Sequence, residues 1–275
     1  MENLIKKLDL NEYITNFSKL FAREKSIILE GDINIHYKII SELSKYNINQ
    51  PLSVQNLDSQ LMHLQKQGVL RVYEIYEFIK IINYFLYLKR FNFEGKLLEW
   101  MDKIIIPNDI LKICEYFDDK ANLKEGVDED FDNIKQAIYK NKEEIKQSLY
   151  KTINSSKIKP YLVDMQVHFI NEQECLLVRG GFNHILSGSV IDRSNSGFFY
   201  VIPHSVSDLK EKQSDLKNKQ EEILFKLCKE ISHLFERNLL FLKFINKEFD
   251  RFDHYQARIF FSKIGDKNFI LPSKK

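Results

Sequence analysis

Gly188-Ser189-Val190-Ile191-Asp192-Arg193-Ser194-Asn195-Ser196-Gly197-Phe198-Phe199-Tyr200-Val201-Ile202-Pro203 sets two short apolar runs on either side of a polar turn closed by glycine. Ser189 to Asp192 and Phe198 to Ile202 alternate with period two, and Ser194 to Gly197 has turn chemistry, so a pair of strands is predicted. Just upstream, Val167-His168-Phe169-Ile170 and Cys175-Leu176-Leu177-Val178-Arg179 alternate in the same way across Asn171-Glu172. Gly180-Gly181 separates the two pairs, Pro160 and Pro203 bracket all four runs, and four of the nine glycines fall between them. A small antiparallel β unit within residues 157–203 is therefore expected.

Outside the brackets the period changes. After Pro203, Val206, Leu209, Leu216, Ile223, Leu227, Ile231, Leu234, Phe241, Ile245 and Phe252 recur near 3.5, the spacing of a helical seam. One helix over residues 204–247 would span about 66 Å. Before the brackets, Phe131, Ile134, Ile138, Ile145, Leu149 and Ile153 form a second narrow seam among Lys and Glu, and the two seams are expected to pair. Residues 1–126 read as shorter helices, with breaks at Gly31, Asn49-Gln50-Pro51, Gly68, Gly95 and Pro107. Val72, Ile75, Tyr76, Ile79, Ile82, Phe85 and Leu86 mark one broad buried stripe there. The expected class is mainly α: a helical base over residues 1–126, an ascending stalk helix over 127–156, a β tip over 157–203, a descending stalk helix over 204–247 and a return to the core over 248–275. The two stalk helices are expected to form a long coiled coil.

Composition narrows the function. Nine glycines and five prolines make up about 5 % of the 275 residues, against roughly 12 % in an average chain, which disfavours turn-dense all-β sandwiches and propellers. The 41 basic and 39 acidic residues leave a formal charge of +2, so any nucleic-acid binding has to be local. Cys114, Cys175 and Cys228 are far apart and lack zinc spacing, as expected of reduced thiols in a cytoplasmic chain. The most apolar stretch, Ile79 to Leu88, is interrupted by Lys80 and Asn83, so no membrane partner is expected. Phosphate-loop, His-Glu-x-x-His and Gly-x-Ser-x-Gly motifs are missing from the sequence, and no active site or cofactor is read in this chain.

The run Gly188 to Pro203 resembles a signature of the second bacterial MutS family, the paralogues of the mismatch-repair ATPase that lack mismatch recognition. There a Gly-x-Val-His-Asp-x-Ser-x-Ser-Gly run closes a strand pair and leads through Ile-Glu-Pro into a long helix. Gly188, Val190, Asp192, Ser194, Ser196, Gly197 and Ile202 match, while Ile191 replaces the His and Pro203-His204 the Glu-Pro. Ile170 to Arg179 is similar to the family's Arg-Asn-Gly-Arg-Tyr-Val-x-Pro-Val-Lys strand, with Glu174 and Cys175 in place of Arg-Tyr and Leu177 in place of Pro. The resemblance implies the lever and clamp part of a longer protein, with Pro272-Ser273-Lys274-Lys275 a cut ahead of the ATPase domain. The full protein would bind ATP and Mg there, dimerise through that domain and carry a C-terminal nuclease domain. This chain by itself is then expected to be non-catalytic and monomeric. The mismatch-reading Phe-x-Glu is also missing from the sequence, in keeping with this family.

The resemblance further implies binding of branched or damaged DNA and suppression of homologous recombination. A clamp on collided ribosomes and a plain coiled-coil scaffold are the alternative readings. Candidate contacts are Lys157 and Lys159; Arg179, Gly180, Gly181, Asn183 and His184, where paired glycines free backbone N–H groups for phosphate; and Arg193, Ser194, Asn195 and Ser196. For the last group a turn that satisfies its own backbone is an equal reading. On the ascending helix, Lys135, Lys140, Lys142, Lys146 and Lys151 face either solvent or phosphate.

Overall fold

The computed structural model describes residues 7–171, 173–182 and 184–264. Among these residues the chain is mainly helical, with one four-stranded antiparallel sheet inserted between its seventh and eighth α-helices. It divides into two compact units, Met1–Lys124 with Leu227–Lys275, and Glu125–Lys226.

The first unit holds α1 (Asn11–Ser18), α2 (Ile33–Leu43), α3 (Asp58–Gln65), α4 (Val72–Leu88), α5 (Gly95–Met101), α6 (Asn108–Glu115) and α9 (Leu239–Ile264). α4 is apolar on most of its circumference, and Ile75, Phe78, Ile79, Ile81, Ile82, Phe85 and Leu88 are all buried, so it runs through the core. Against it α9 buries Leu242, Ile245, Phe249, Phe252 and Tyr255. The Phe252 ring stacks on Trp100 at 5.9 Å and meets Tyr84 edge-on at 5.6 Å.

One polar network lies within this apolar packing. The Arg23 guanidinium forks onto Asp250 at 2.7 and 2.8 Å and onto the Asn246 side-chain oxygen at 2.8 Å. Lys25 bridges Asp250 and Asp253 at 2.7 Å each, and Asp253 also accepts the Ala22 amide. Burial raises the Asp253 carboxyl; at Asp250 it acts in the same direction, but Arg23 and Lys25 outweigh it and hold that carboxyl below its ordinary range. The segment from Ala22 to Lys25 is thereby tied to α9 by charges with partners on several sides, the condition for burying them at tolerable cost.

The second unit begins with α7 (Glu129–Ile153), whose N-terminus is capped by Asp128 Oδ1 accepting the Phe131 amide at 2.7 Å. A 3₁₀ turn, Lys159–Tyr161, leads into β1 (Leu162–Ile170), β2 (Gln173–Val178), β3 (Gly188–Arg193) and β4 (Phe199–Pro203). Strand order is β1-β2-β4-β3, antiparallel throughout. α8 (His204–Arg237) then starts in this unit and ends in the first. Each of the four alternating runs in the sequence is a strand, and β1 begins five residues ahead of Val167.

Two helical expectations change. Residues 204–247 are not one helix: α8 ends at Arg237 and α9 opens at Leu239. Between them the Leu234 carbonyl accepts both the side-chain amide of Asn238 at 2.9 Å and its backbone amide at 3.2 Å, and that backbone amide is shared with the Phe235 carbonyl at 3.1 Å. The α7 seam is covered by the sheet as well as by α8, whose Val206 and Leu209 pack into the same cluster. Ile145, Leu149 and Ile153 are buried in one cluster with Leu162, Leu176, Val178 and Val201 of the sheet and Val206 of α8, while Phe131, Ile134 and Ile138 are only half-buried. Polar contacts add to this meeting of α7 and α8: Asn141 donates to the Leu209 carbonyl at 3.2 Å, and Ser148 to the Ser205 carbonyl at 3.1 Å.

His254 yields a pH dependence. Burial, reinforced by Arg258 and Lys25, pushes its imidazole from 6.5 down to about 4, and Arg258 Nη1 lies 3.1 Å from Nδ1, which suits an unprotonated ring nitrogen. The folded state favours the neutral ring, so stability present above pH 6.5 should be lost as pH falls toward 4. Thermal melting across that range should show the slope, and His254→Gln should flatten it; the raised carboxyl of Asp253 contributes with the opposite sign and remains in both proteins. A second expectation concerns Gly188, which faces Pro203 across β3 and β4. A Cβ there would fall on the Ile202 carbonyl and within 3.0 Å of Pro203 Cα, so Gly188→Ala should cost about 1–3 kcal/mol in denaturant unfolding by forcing β3 off β4.

Candidate nucleic-acid interface

The sheet register collects most of the candidate residues at one end. Leu162 pairs with Val178, Val178 with Phe199, and Phe199 with Arg193, a continuous row across all four strands. Lys159 stands three residues before the start of that row, Arg179 directly follows Val178, Gly197 lies two residues before Phe199, and Arg193 is itself the row's last member. Lys159 and Gly197, 38 positions apart in sequence, thus share one end of a small sheet.

Beside Arg179 and Gly197 is a hollow of about 440 Å³ lined by Val163, Arg179, Gly180, Ser196, Gly197 and Phe198. The two candidate loops are in contact there: a Cβ built on Gly180 would approach the Gly197 carbonyl to 3.1 Å. Gly181 and Gly197 have φ of +84° and +83°, conformations that a side chain strains. Arg179 is anchored at its base, with its amide donating to the Tyr161 carbonyl at 2.9 Å and Nε to the Leu162 carbonyl at 3.2 Å. Arg193 lies over the Phe199 ring at 5.3 Å, and both arginines are exposed.

The Ser194 turn is satisfied internally. The Ser194 amide donates to the Phe198 carbonyl at 2.8 Å, its Oγ accepts the Phe198 amide at 3.0 Å, and the Gly197 amide returns to the Ser194 carbonyl at 2.9 Å. Ser194 thus acts as the clasp of the turn, leaving Asn195 and Ser196 exposed at its tip. Lys157, Lys159, Gly181, His184, Arg193 and Asn195 are exposed but are not among the residues lining the hollow, and Arg179 is its one cation among the described residues. Asn183 lies outside the described residues. Val163 and Phe198, which wall the hollow, were missed by sequence reasoning, because apolar positions beside a strand end look like ordinary strand residues.

Charge along residues 157–203 is balanced in sequence, and among the described acids the fold moves one away from the row end and leaves two near it. Glu174 sits toward the opposite end of β2, opposite Phe169, and pairs with Lys210 of α8. Asp164 is held by His168 at 3.0 Å. Asp192 remains beside Arg193, accepting the Arg193 amide at 2.7 Å. The row end thus brings together Lys159, Arg179 and Arg193 with Asp192, small polar residues and glycine backbone, in which the cations and amides are of the kind that hold phosphate oxygens without reading bases.

Nucleophilic and metal chemistry have little to draw on among the described residues. Cys114, Cys175 and Cys228 are buried, and burial raises their thiols to about 12, 11 and 11, so they stay protonated near neutral pH. No group of three His, Cys, Asp or Glu side chains there is placed to hold a metal ion, and no described helix is long and apolar enough to cross a membrane.

No family model matches the sequence. The chain is homologous to two curated proteins. It is 33 % identical over 275 residues to the endonuclease MutS2 of Helicobacter pylori strain ATCC 700392 / 26695, and 34 % identical to the endonuclease MutS2 of strain J99 / ATCC 700824. Each alignment covers 98 % of this chain and 36 % of the relative, so the chain spans about a third of the length of the curated relatives it matches.

Proposed function

We propose that this chain is the lever and clamp portion of a MutS2-type protein, and that it grips branched or damaged DNA by its phosphates without catalysing a reaction itself. Homology over nearly the whole chain to endonuclease MutS2 supports the family. The order of elements, a helical unit, α7, a four-stranded sheet, α8 and a return to the helical unit, supports the lever and clamp assignment, with α7 and α8 as the two arms of a coiled-coil stalk. The observation that carries the DNA reading is the convergence of Lys159, Arg179, Arg193 and the Gly180–Gly197 contact at one end of the sheet.

In this reading the larger protein supplies ATP and Mg chemistry, nuclease activity and the dimer interface from domains outside this chain, and its role is to restrain homologous recombination. The clamp contributes affinity. Anchored guanidinium groups meet phosphates, and backbone N–H groups freed by Gly180 and Gly181 take further oxygens, so recognition depends on the shape of the branch rather than on base sequence.

Binding to a four-way junction should be weak and fall steeply with salt. Arg179→Ala and Arg193→Ala should each weaken it and flatten the slope of log K against log salt by ~0.9, as read by fluorescence anisotropy at several salt concentrations. Two silent variants would remove the sheet end as the contact surface. Retention on ribosomes at salt concentrations that release the junction would move the clamp to a ribosomal target.

A further inference from the structure

α7 has a face that the sheet-end site does not use. Its buried row is Asn141, Ile145, Leu149 and Ile153, spaced by four and packed into the second unit. One position further round the helix, Lys142, Lys146 and Tyr150 are all exposed. Two positions round, Lys135, Tyr139, Gln147 and Lys151 are exposed and only Glu143 is half-buried. Rows four apart run side by side on a helix, so these residues form one continuous surface.

Of the acids of α7, Glu143 lies within that surface, half-buried between Tyr139 and Gln147, against the exposed Lys135, Lys142, Lys146 and Lys151. Glu129, Asp130 and Asp132 belong to the first helical turn, and Glu144 reaches Lys212 at 3.4 Å. A solvated helix explains the lysines. It does not explain Tyr139 and Tyr150, whose side chains are 69 % and 50 % exposed in the middle of a cationic face. Lysines interleaved with open aromatic rings fit a single nucleic-acid strand, whose phosphates pair with ammonium groups and whose unpaired bases stack on the rings. A duplex offers only its phosphates and leaves both tyrosines without a role.

We infer that the exposed face of α7 is a track for an unpaired nucleic-acid strand, with Tyr139 and Tyr150 as stacking platforms about 16 Å apart and Lys142 and Lys146 on the intervening phosphates. The inference rests on the reading of the chain as a nucleic-acid binder and adds which strand is held and where. A fork, a flap or a displacement loop presents unpaired strand beside duplex, so on such a branch the track and the sheet end take different parts of one substrate, whereas a fully paired four-way junction engages the sheet end alone.

The test uses the full chain with labelled oligo-dT and oligo-rU of about 15 nucleotides, within the reach of known single-strand sites, a fully paired hairpin, and the four-way junction. Tyr139→Ala and Tyr150→Ala should each weaken oligo-dT binding about tenfold and leave the hairpin unchanged, while Tyr→Phe at either position retains binding. Lys142→Ala and Lys146→Ala should each flatten the oligo-dT salt slope by ~0.7. Tighter binding of oligo-rU with the same tyrosine dependence supports the track with RNA as its source. Wild-type single-strand affinity in both alanine variants overturns it, as does equal loss on the hairpin. A dimer in equilibrium sedimentation that Tyr139→Ala dissolves also overturns it, giving the face to a second copy. The two readings separate cleanly: silent α7 variants beside active Arg179 and Arg193 variants sink the track alone, and the reverse pattern sinks the sheet-end site alone.

Discussion

Cross-strand pairing of Leu162, Val178, Phe199 and Arg193 is the constraint on which the candidate interface depends. β1 and β3 each reach the row past a register shift, between Leu162 and Val167 and between Val190 and Asp192. The β2–β4 register is regular, and a slip by one residue there would turn every buried side chain to the opposite face. Leu176 and Val201, directly opposed and both fully buried, make such a slip expensive. With the row set, the segments that enter and leave it have no freedom about where they meet, and Gly180 comes against Gly197. The interface is a by-product of strand order: β4 sits between β2 and β3, so the loop after β2 and the turn before β4 leave the sheet side by side.

The sheet in turn needs α7. A four-stranded sheet of this size cannot bury both faces on its own, and Ile145, Leu149 and Ile153 supply apolar cover. That arrangement gives the sheet a share of the seam on α7, which in sequence looks like half of a helix pair. Asn141, buried one turn earlier, donates to the Leu209 carbonyl, while its side-chain oxygen has no hydrogen-bond partner among the described residues. A polar group at that position marks where that apolar packing gives way to polar contact. The first unit uses another device. Its α9 is bound to the segment Ala22 to Lys25 through Arg23, Lys25, Asp250 and Asp253, charges more than 220 positions apart in sequence that are stabilised only because each has a partner.

Much of this was legible in the residues. Period-two alternation located the four strands, the Pro160 and Pro203 brackets located the insert, and the spacing of Ile75, Ile79, Ile82 and Phe85 located the central helix. These are local signals, carried by side-chain periodicity along a few turns or pleats. The break at Asn238 was not legible, because one asparagine inside a strong apolar period is outvoted by its neighbours until its side chain is seen taking the Leu234 carbonyl. The candidate loops were named separately, each from its own glycines and cations, and nothing in either loop says that they touch.

What the sequence determined by itself is the class of the chain, its β insert and the inventory of cations, since each follows from composition or from contacts within about ten residues. What only the tertiary structure decided is the sorting. It placed Arg179 beside Ser196 and Gly197, and it held Glu174 away from them against Lys210. It also turned one row of α7 inward and left the lysines and tyrosines beside it in water. Net charge is a sum over the chain and is blind to position. A binding surface depends on which charges share a face, and that is set by strand order and by which side of a helix finds apolar cover.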